Sequence, residues 1–247
     1  MSATLRYTKL EVQRILREPR FAIFTIAVPL ALFMVDASIF KSSGGFDGIA
    51  IAKYLMVSMA VFGAISAALN ATGARLAEER RNGWLRQLDI TPLSPWSVVT
   101  AKTLAAMTLT LPAAALIYLF GALTQGVTLE AWQWLALLLA SWLGSLPFAA
   151  LGVLIGSAGN VDTSQPLVTG SMFFLNIFGG VFIPLQVLPR AMGHIATILP
   201  SNRYAELGWA IADGRAPSAV GITVLAAWTV GLCVTGVLAY RRGSVRT

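Results

Sequence analysis

The chain has 247 residues, of which 56% are hydrophobic and only 12% are charged. An ordinary soluble domain carries about 25% charged residues, so this composition excludes a soluble globular protein. The net charge of +7 does not indicate nucleic-acid binding, because the cations flank apolar runs, where anionic lipid headgroups attract them. One Cys and one His exclude an internal disulfide and argue against a classical zinc site, so we expect no metal.

Residues 1–20 are predicted to form a cytoplasmic amphipathic helix that ends at Pro19, and no cleavable signal peptide is evident. Over residues 4–18 the basic side chains lie mostly on one side. The opposite, more apolar arc holds Leu5, Thr8, Val12, Ile15 and Leu16. Two interpretations stay open, namely an interfacial helix on anionic lipid and a helix lying against a cytoplasmic partner.

The remainder, 21–247, is predicted to be one all-α polytopic membrane domain, because its apolar runs are continuous and each is long enough to cross about 30 Å of hydrocarbon. The six predicted spans are 21–40, 50–74, 98–124, 131–158, 166–189 and 219–240. The fourth is long enough to tilt or to break, and Pro147 is the expected place of a break. Thirteen of the 18 cations fall on one side of this arrangement, so the positive-inside rule places both termini in the cytoplasm. We expect a multi-pass protein of a bacterial plasma membrane.

The loop between the second and third spans, 75–97, combines both charge signs with apolar residues, including Trp84. A short helix is predicted over 78–86, with an interruption at Asn82-Gly83, and Ser94 or Ser97 is expected to cap the next span. A loop that only satisfied the positive-inside rule would need a few cations. Mixed charge around an exposed aromatic is typical of a protein interface, so we interpret this loop as a docking surface.

Two sequence blocks resemble the ABC-2 type permeases, the membrane subunits of ABC exporters. The first runs R-x-x-G-x-L-x-x-L-x-x-T-P-L-S from Arg80 to Ser94 and is followed by Ala101-Lys102. The second is G-G-V-F-I-P at 179–184, followed by Leu188-Pro189 and Ile198-Leu199-Pro200. With the N-terminal helix and six spans, the resemblance covers nearly the whole chain.

The resemblance implies a permease that pairs with a second copy or a homologous permease and binds two cytoplasmic ABC ATPases. ATP and Mg would then be bound by the ATPases, with no cofactor in this chain. It also implies that the helix of the 75–97 loop is a coupling helix seated in a groove of the ATPase. The candidate docking and coupling residues are Glu79, Arg80, Arg81, Gly83, Trp84, Leu85, Leu88, Thr91 and Pro92.

Polar residues within the predicted spans are candidates for a translocation path. Asp36 either faces such a path or lies among the outer headgroups, because a buried carboxylate costs several kcal/mol unless it is paired or hydrated. Asn70 and Asn176 either line the path or form hydrogen bonds between helices. Phe178 is a further path candidate.

The segment 190–217 is only moderately apolar and is predicted to be a re-entrant extracellular hairpin before the last span. Pro200 is expected to turn the chain back, and Pro184, Pro189 and Pro200 are candidate gate residues.

No catalytic residue is predicted, and ATP hydrolysis by a phosphate loop is excluded because the chain contains no Gly-Lys pair. An intramembrane protease of the Glu-Glu-x-x-x-Arg type is disfavoured, since Gly83 stands where its Arg is required. The predicted function is therefore the permease of an ATP-driven exporter for an amphiphilic cargo such as a drug, antibiotic or lipid. The alternatives are an ATP-independent carrier and a membrane scaffold, although no internal repeat of a carrier is found.

Overall fold

The computed structural model describes residues 3–16, 19–39, 49–84, 87, 94–183 and 190–244. Its elements within these ranges are helices, as the predicted all-α class requires. In chain order they are α1 (Ala3–Leu16), α2 (Pro19–Ile39), α3 (Ile51–Leu69), a π-helical turn (Asn70–Ala74), α4 (Arg75–Arg81), α5 (Pro95–Gln125), α6 (Ala131–Gly144), α7 (Leu146–Ala158), α8 (Val161–Phe178), α9 (Arg190–Ile198), α10 (Pro200–Ala212) and α11 (Ala219–Ser244).

Four helical stretches within the described residues are long and apolar enough to cross a membrane. They are Ile51–Arg81, Trp96–Gln125, Ala131–Ala158 and Ala219–Arg241. A shorter apolar helix covers Ala27–Ile39. The polytopic character of the prediction is therefore confirmed for four spans, and the number six stays a prediction.

The centre of the fold is α3, which is buried along almost its whole length between α2, α5, α7 and α10. Its small residues allow this close packing, and the ring of Tyr54 stacks on Trp209 of α10 with 4.4 Å between centroids. The Trp209 indole also donates to the Tyr54 carbonyl oxygen and the Ser58 hydroxyl, both at 3.3 Å. These contacts fix α10 against the first turns of α3.

The helices run between two ends of the molecule. At the first, called the charged end, α1, the Arg75–Trp84 segment, the start of α5 and the junction of α7 with α8 meet. At the second, called the far end, the starts of α3, α6 and α11 meet the end of α10. This arrangement gathers most of the described charges at the two ends.

The predicted break in the fourth span is confirmed. The helix stops at Ser145 and resumes as α7, whose first turn contains Pro147. The Ser145 hydroxyl donates to the Trp142 carbonyl oxygen at 2.7 Å, which satisfies one acceptor that the interruption frees.

Several predicted boundaries are wrong by a few residues. The second span continues past 74 as one helical run to Arg81, because the π-helical turn extends the helix instead of ending it. The helix in the region of the predicted fifth span begins at Val161 and not at 166, since Asn160 caps it by accepting from the Thr163 N–H at 3.0 Å. Pro166 is accommodated in the second turn of α8. Its predicted end, 184–189, lies outside the described residues.

The segment predicted as a re-entrant hairpin folds into two helices, α9 and α10, joined at Leu199. Pro200 is the first residue of α10 and is buried, a position where its missing N–H costs no hydrogen bond. The Ser201 hydroxyl donates to the Leu175 carbonyl oxygen at 2.6 Å, and the Asn202 amide donates to that of Gly179 at 3.0 Å. These bonds attach the start of α10 to the end of α8.

The predicted polarity of the N-terminal helix needs a correction. Tyr7 lies on the face predicted to be polar and is nevertheless buried, as is Glu11, whereas Leu10 of the same polar face is 62% exposed. The face of α1 that is buried depends on an ion pair with Lys102 of α5, and not on hydrophobicity alone.

Candidate functional site

A buried ion network joins three segments at the charged end. Lys102, in the second turn of α5, is only 5% exposed and lies between two carboxylates. Its ammonium donates to Glu11 Oε1 of α1 at 3.0 Å and to Glu79 Oε2 of α4 at 2.5 Å. One cation therefore holds the N-terminal helix and the predicted coupling segment against the third span.

Two arginines complete the network around Glu79. Arg14 of α1 donates to Glu79 Oε1 at 3.0 Å, and Arg75 Nε lies 3.9 Å from the same oxygen. The Arg14 guanidinium also sits 5.5 Å from the ring centre of Trp84, within range of a cation–π interaction. Glu79 thus lies inside the protein, where it organises the segment that the sequence identified as a docking surface.

The remaining carboxylate, Glu11, is fixed from its own helix. The Tyr7 hydroxyl, four residues earlier, donates to Glu11 Oε1 at 2.5 Å. Burial alone would raise the pKa of Glu11, but the Lys102 ammonium and the Tyr7 hydrogen bond hold this pKa below its usual value. Burial and the neighbouring carboxylate raise the pKa of Tyr7 above its usual value, so the phenol keeps its proton.

The energetic character of this network follows from its burial. Each buried ion loses several kcal/mol of hydration, which only close partners offset. Removing one member leaves an uncompensated charge and costs about 3–5 kcal/mol. The network therefore favours a single relative position of α1, α4 and α5.

Arg80 anchors the other side of the same segment. Its Nη1 donates to the carbonyl oxygens of Ser157, Gly159 and Gly156 at 2.5, 3.2 and 3.5 Å. These carbonyls belong to the C-terminal end of α7, where the helix dipole favours a cation. Arg80 thus contacts the α7–α8 junction instead of projecting from the surface.

Glycines bring the π-helical turn into direct contact with α7. A Cβ at Gly152 would lie 1.9 Å from the Thr72 hydroxyl and 3.0 Å from the Gly73 nitrogen. At Gly156 it would lie 2.5 Å from the Gly73 carbonyl oxygen. The two glycines therefore permit close packing of α7 on the π-helical turn, next to the Gly156 carbonyl oxygen that Arg80 binds.

The exposed part of the coupling segment is small within the described residues. Glu78 and Arg81 have 58% and 61% exposed side chains, and their charged atoms are 3.9 Å apart. Asn82 and Gly83 form the turn that interrupts the helix, as predicted, with a φ of 72° at Gly83. Trp84 follows, half-buried against α1. The docking candidates Leu85, Leu88, Thr91 and Pro92 lie outside the described residues.

The four path candidates do not come together in one place. Asn70 and Asn176 lie near opposite ends of α8, where Asn70 donates to the Ser66 carbonyl oxygen and Asn176 to that of Met172. Asn176 is fully buried, and Phe178 packs against Phe174 at 4.7 Å. Asp36 is half-buried in the last turn of α2. Of the gate candidates, Pro200 is described above, while Pro184 and Pro189 lie outside the described residues.

Sequence reasoning missed the two residues that organise the site. The sequence did not single out Glu11, and it identified Lys102 only as a cation and as the end of the first block that resembles the ABC-2 type permeases. Two signals could have identified them, namely a Lys inside the apolar start of a span and the spacing of Tyr7, Glu11 and Arg14 at i, i+4 and i+7. Among the described residues, no cluster of His, Cys, Asp and Glu could hold a metal ion.

These features define a helical membrane protein with a charged segment clamped at one end of its spans, and comparison with known proteins identifies its class. The sequence matches the family "ABC-2 type transporter" over residues 3–207, so the chain belongs to the ABC-2 type transporters. It is also similar to "Putative transport permease YvfS" of Bacillus subtilis (strain 168). The two sequences are 28% identical over 218 residues, which cover 88% of this chain and 89% of that protein.

Proposed function

We propose that this protein is the permease of an ATP-driven ABC exporter and works as a pair with a second copy or a homologous permease. Two cytoplasmic ABC ATPases would bind the pair, and ATP and Mg would be bound by these ATPases. Membership of the ABC-2 type transporters supports the permease role. The six-span arrangement with cytoplasmic termini, in a bacterial plasma membrane, is part of the proposal and rests on the 13 cations on one side.

The single observation that carries the coupling role is the double attachment of the Arg75–Trp84 segment. Glu79 binds Lys102 of α5 and Arg14 of α1, while Arg80 binds the end of α7. A force applied to the exposed side chains of Glu78, Arg81 and Asn82 would therefore reach α1, α5 and α7 together. A flexible loop would not transmit it.

ATP binding would act through differential affinity. The ATPase dimer changes shape when it closes on nucleotide, and it can shift the permease only by binding the coupling segment more tightly in one position than in the other. Because the coupling segment is attached to α1, α5 and α7, a higher ATPase affinity for one position of the segment also favours one arrangement of the spans. Asp36, Asn70, Asn176 and Phe178 remain candidates for the path that opens.

The proposed cargo is an amphiphile, such as a drug, an antibiotic or a lipid. This class is supported by the wide apolar surface of the outer helices, with exposed Leu123, Leu135 and Val230 among many others. Such a surface gives an apolar cargo access from the bilayer. The family membership does not distinguish among these cargoes.

The experiment that tests the proposal is co-purification of the tagged permease from its own membranes in mild detergent. We expect two ABC ATPase subunits per permease pair, identified by mass spectrometry. Arg81→Glu reverses a charge on the proposed docking surface and should lower the ATPase yield about tenfold, since rim charges govern encounter and specificity.

The matched control is Arg215→Glu, because Arg215 is also an exposed arginine paired with a carboxylate, but at the far end. It should leave the ATPase yield unchanged. If the well-folded permease carries no ATPase, and its reconstituted form transports without ATP, the alternative of a carrier replaces this proposal. If it carries none and transports nothing, a scaffold role replaces it.

A further inference from the structure

The far end contains a cavity of about 590 Å³ that the permease role does not use. Its walls come from the start of α3, from α9 and α10, and from the loop between α10 and α11. The residues that matter for its chemistry are Tyr54, Arg203, Glu206, Trp209, Arg215 and Ser218. The volume lies within the range of about 300–1,000 Å³ that small-ligand sites occupy.

Two ion pairs set the charge of this cavity. Arg203 Nη1 donates to Glu206 Oε2 at 2.5 Å, and Arg203 Nε donates to the Thr197 carbonyl oxygen at 2.6 Å. Arg215 Nε donates to Asp213 Oδ2 at 2.6 Å. Arg203, Glu206 and Arg215 line the cavity, and Asp213 pairs with Arg215 from outside this lining, so the cavity presents both signs of charge to a ligand.

Both arginines keep donors for a ligand. A guanidinium has five N–H groups, and among the described residues only Nε and Nη1 of Arg203 and Nε of Arg215 are engaged. Within the same part of the chain, Glu206 accepts through Oε2, and its second oxygen is available. The cavity therefore offers guanidinium donors, which suit the oxygens of a phosphate, beside a carboxylate oxygen that suits an ammonium.

The surroundings of the cavity are apolar and exposed. Ile195 and Ile198 of α9 and Val220 and Ile222 of α11 are each at least 49% exposed on either side of the lining residues. The Trp228 indole donates to the Ile198 carbonyl oxygen at 2.8 Å and so ties these two helices together. A polar cavity bordered by exposed apolar side chains suits a ligand with a polar head and hydrocarbon chains.

The depth of the cavity relative to the bilayer also suits such a ligand. Trp132, in the first turn of α6 at the same end, is exposed, and exposed Trp residues mark the headgroup level of a bilayer. Gly221 closes the wall, since a Cβ there would lie 3.0 Å from Glu206 Oε2. The ion pair of Arg203 and Glu206 is therefore held between α10 and the first turn of α11.

We propose that this cavity binds the headgroup of a phospholipid that carries an ammonium beside its phosphate, as phosphatidylethanolamine does. Arg203 and Arg215 bind the phosphate, and Glu206 binds the ammonium. The acyl chains run along the exposed apolar side chains of α9 and α11. The assignment uses only contacts at the far end and does not depend on ATP or on the direction of transport. The topology decides only which leaflet supplies the lipid.

The test is native mass spectrometry of the purified protein in detergent, titrated with phosphatidylethanolamine or phosphatidylglycerol of matched chains. The wild type should bind the ethanolamine lipid more tightly. Arg215→Gln should weaken this binding about tenfold, as expected for loss of a charge-assisted hydrogen bond. Glu206→Gln should reverse the preference toward phosphatidylglycerol, because it removes the ammonium partner and frees a cation for the phosphate.

The control is Arg81→Gln, an exposed and similarly paired arginine at the charged end, which should leave lipid binding unchanged. Equal effects of Arg215→Gln and Arg81→Gln, or an unchanged lipid preference in Glu206→Gln, would overturn the site. A third arm adds inorganic phosphate at millimolar concentration. Displacement of the lipid by this phosphate would show an anion site without specificity for lipid and would also overturn the proposal.

Discussion

The two ends of the molecule use charge in different ways. At the charged end, Lys102, Glu11 and Glu79 are almost completely buried, and each ion has several partners. At the far end, Arg203, Glu206 and Arg215 line a cavity, Arg215 pairs with Asp213, and all four side chains are partly exposed. The first arrangement is satisfied internally and fixes the position of helices. The second is incompletely satisfied and has capacity for a ligand.

This difference shows that the number of ion pairs says little about what they do. A buried pair restricts geometry, since its members cannot return to water without a large cost. A half-exposed pair exchanges partners easily and contributes about 0–1 kcal/mol to stability. The two ends are built from the same residue types, but deep burial makes the charged end rigid. Partial exposure leaves the ion pairs of the far end able to bind a ligand.

The largest expected effect is that of Lys102→Met, which removes the central cation of the buried network. It should lower the free energy of unfolding by about 4 kcal/mol, because two buried carboxylates lose their shared partner. Arg215→Met, the matched change at the far end, should cost less than about 1 kcal/mol. Thermal unfolding in detergent micelles, followed by tryptophan fluorescence, measures both.

Addition of Glu11→Gln to the Lys102→Met variant should restore part of the loss, because it removes one of the uncompensated charges. Similar losses for Lys102→Met and Arg215→Met would contradict the distinction between the two ends.

A smaller effect is expected from Gly152→Ala, which tests whether the charged end is also rigid in its packing. The added methyl would meet the Thr72 hydroxyl and the backbone of Gly73, so the helices must separate, at a cost of about 3 kcal/mol. Gly170→Ala is the control on α8, because a Cβ there meets nothing within 4 Å. It should be neutral or stabilising by up to about 1 kcal/mol. Equal unfolding temperatures for the two variants would disprove the tight contact.

The smallest effect concerns Tyr7→Phe and its dependence on pH. At neutral pH the loss of one hydrogen bond to Glu11 should cost about 1.5 kcal/mol. The raised pKa of Tyr7 means that its contribution is complete below about pH 10, its unfolded value, and is lost as the pH rises further. The difference between wild type and variant should therefore shrink above about pH 10.

At acid pH, the contribution of Glu11 to stability depends on pH in the opposite direction to that of Tyr7. The lowered pKa of Glu11 gives a contribution that is present above its unfolded value of about 4.3 and is lost as the pH falls through the folded value. Without the Tyr7 hydrogen bond the folded pKa moves up, so acid unfolding of Tyr7→Phe should begin at a higher pH. Parallel stability curves of the two proteins from pH 3 to 11 would show that the hydrogen bond does not matter.

Features that depend on local sequence were predicted well. The break near Pro147, the turn at Asn82-Gly83 and the cap at Ser94, whose hydroxyl accepts from the Ser97 N–H at 3.2 Å, all follow from residues within one or two turns. The long apolar runs predicted six spans, and four helices of membrane-spanning length are present among the described residues. These signals need no knowledge of which helices become neighbours.

The features that were missed depend on distant partners. Glu79 was predicted to be a surface residue, and it is buried because Lys102 and Arg14 come from elsewhere in the chain. The burial of Glu11 was not predicted for the same reason, since its carboxylate pairs with Lys102 of α5. Arg80 matches a surface motif, yet it binds carbonyl groups 76 to 79 residues away. No periodicity within one segment contains this information.

The π-helical turn Asn70–Ala74 determines the directions in which the side chains of α4 point around the helix axis. Here the Arg75 N–H donates to the Asn70 carbonyl oxygen, five residues back, so the turn holds one residue more than an α-helical turn. Successive residues of an α-helix are rotated by about 100° around its axis. This single extra residue therefore sets the phase in which Glu79 points toward Lys102 while Arg80 points toward α7. Deleting one residue from the turn would rotate both side chains away from their partners by about 100°, although every residue of the clamp would still be present.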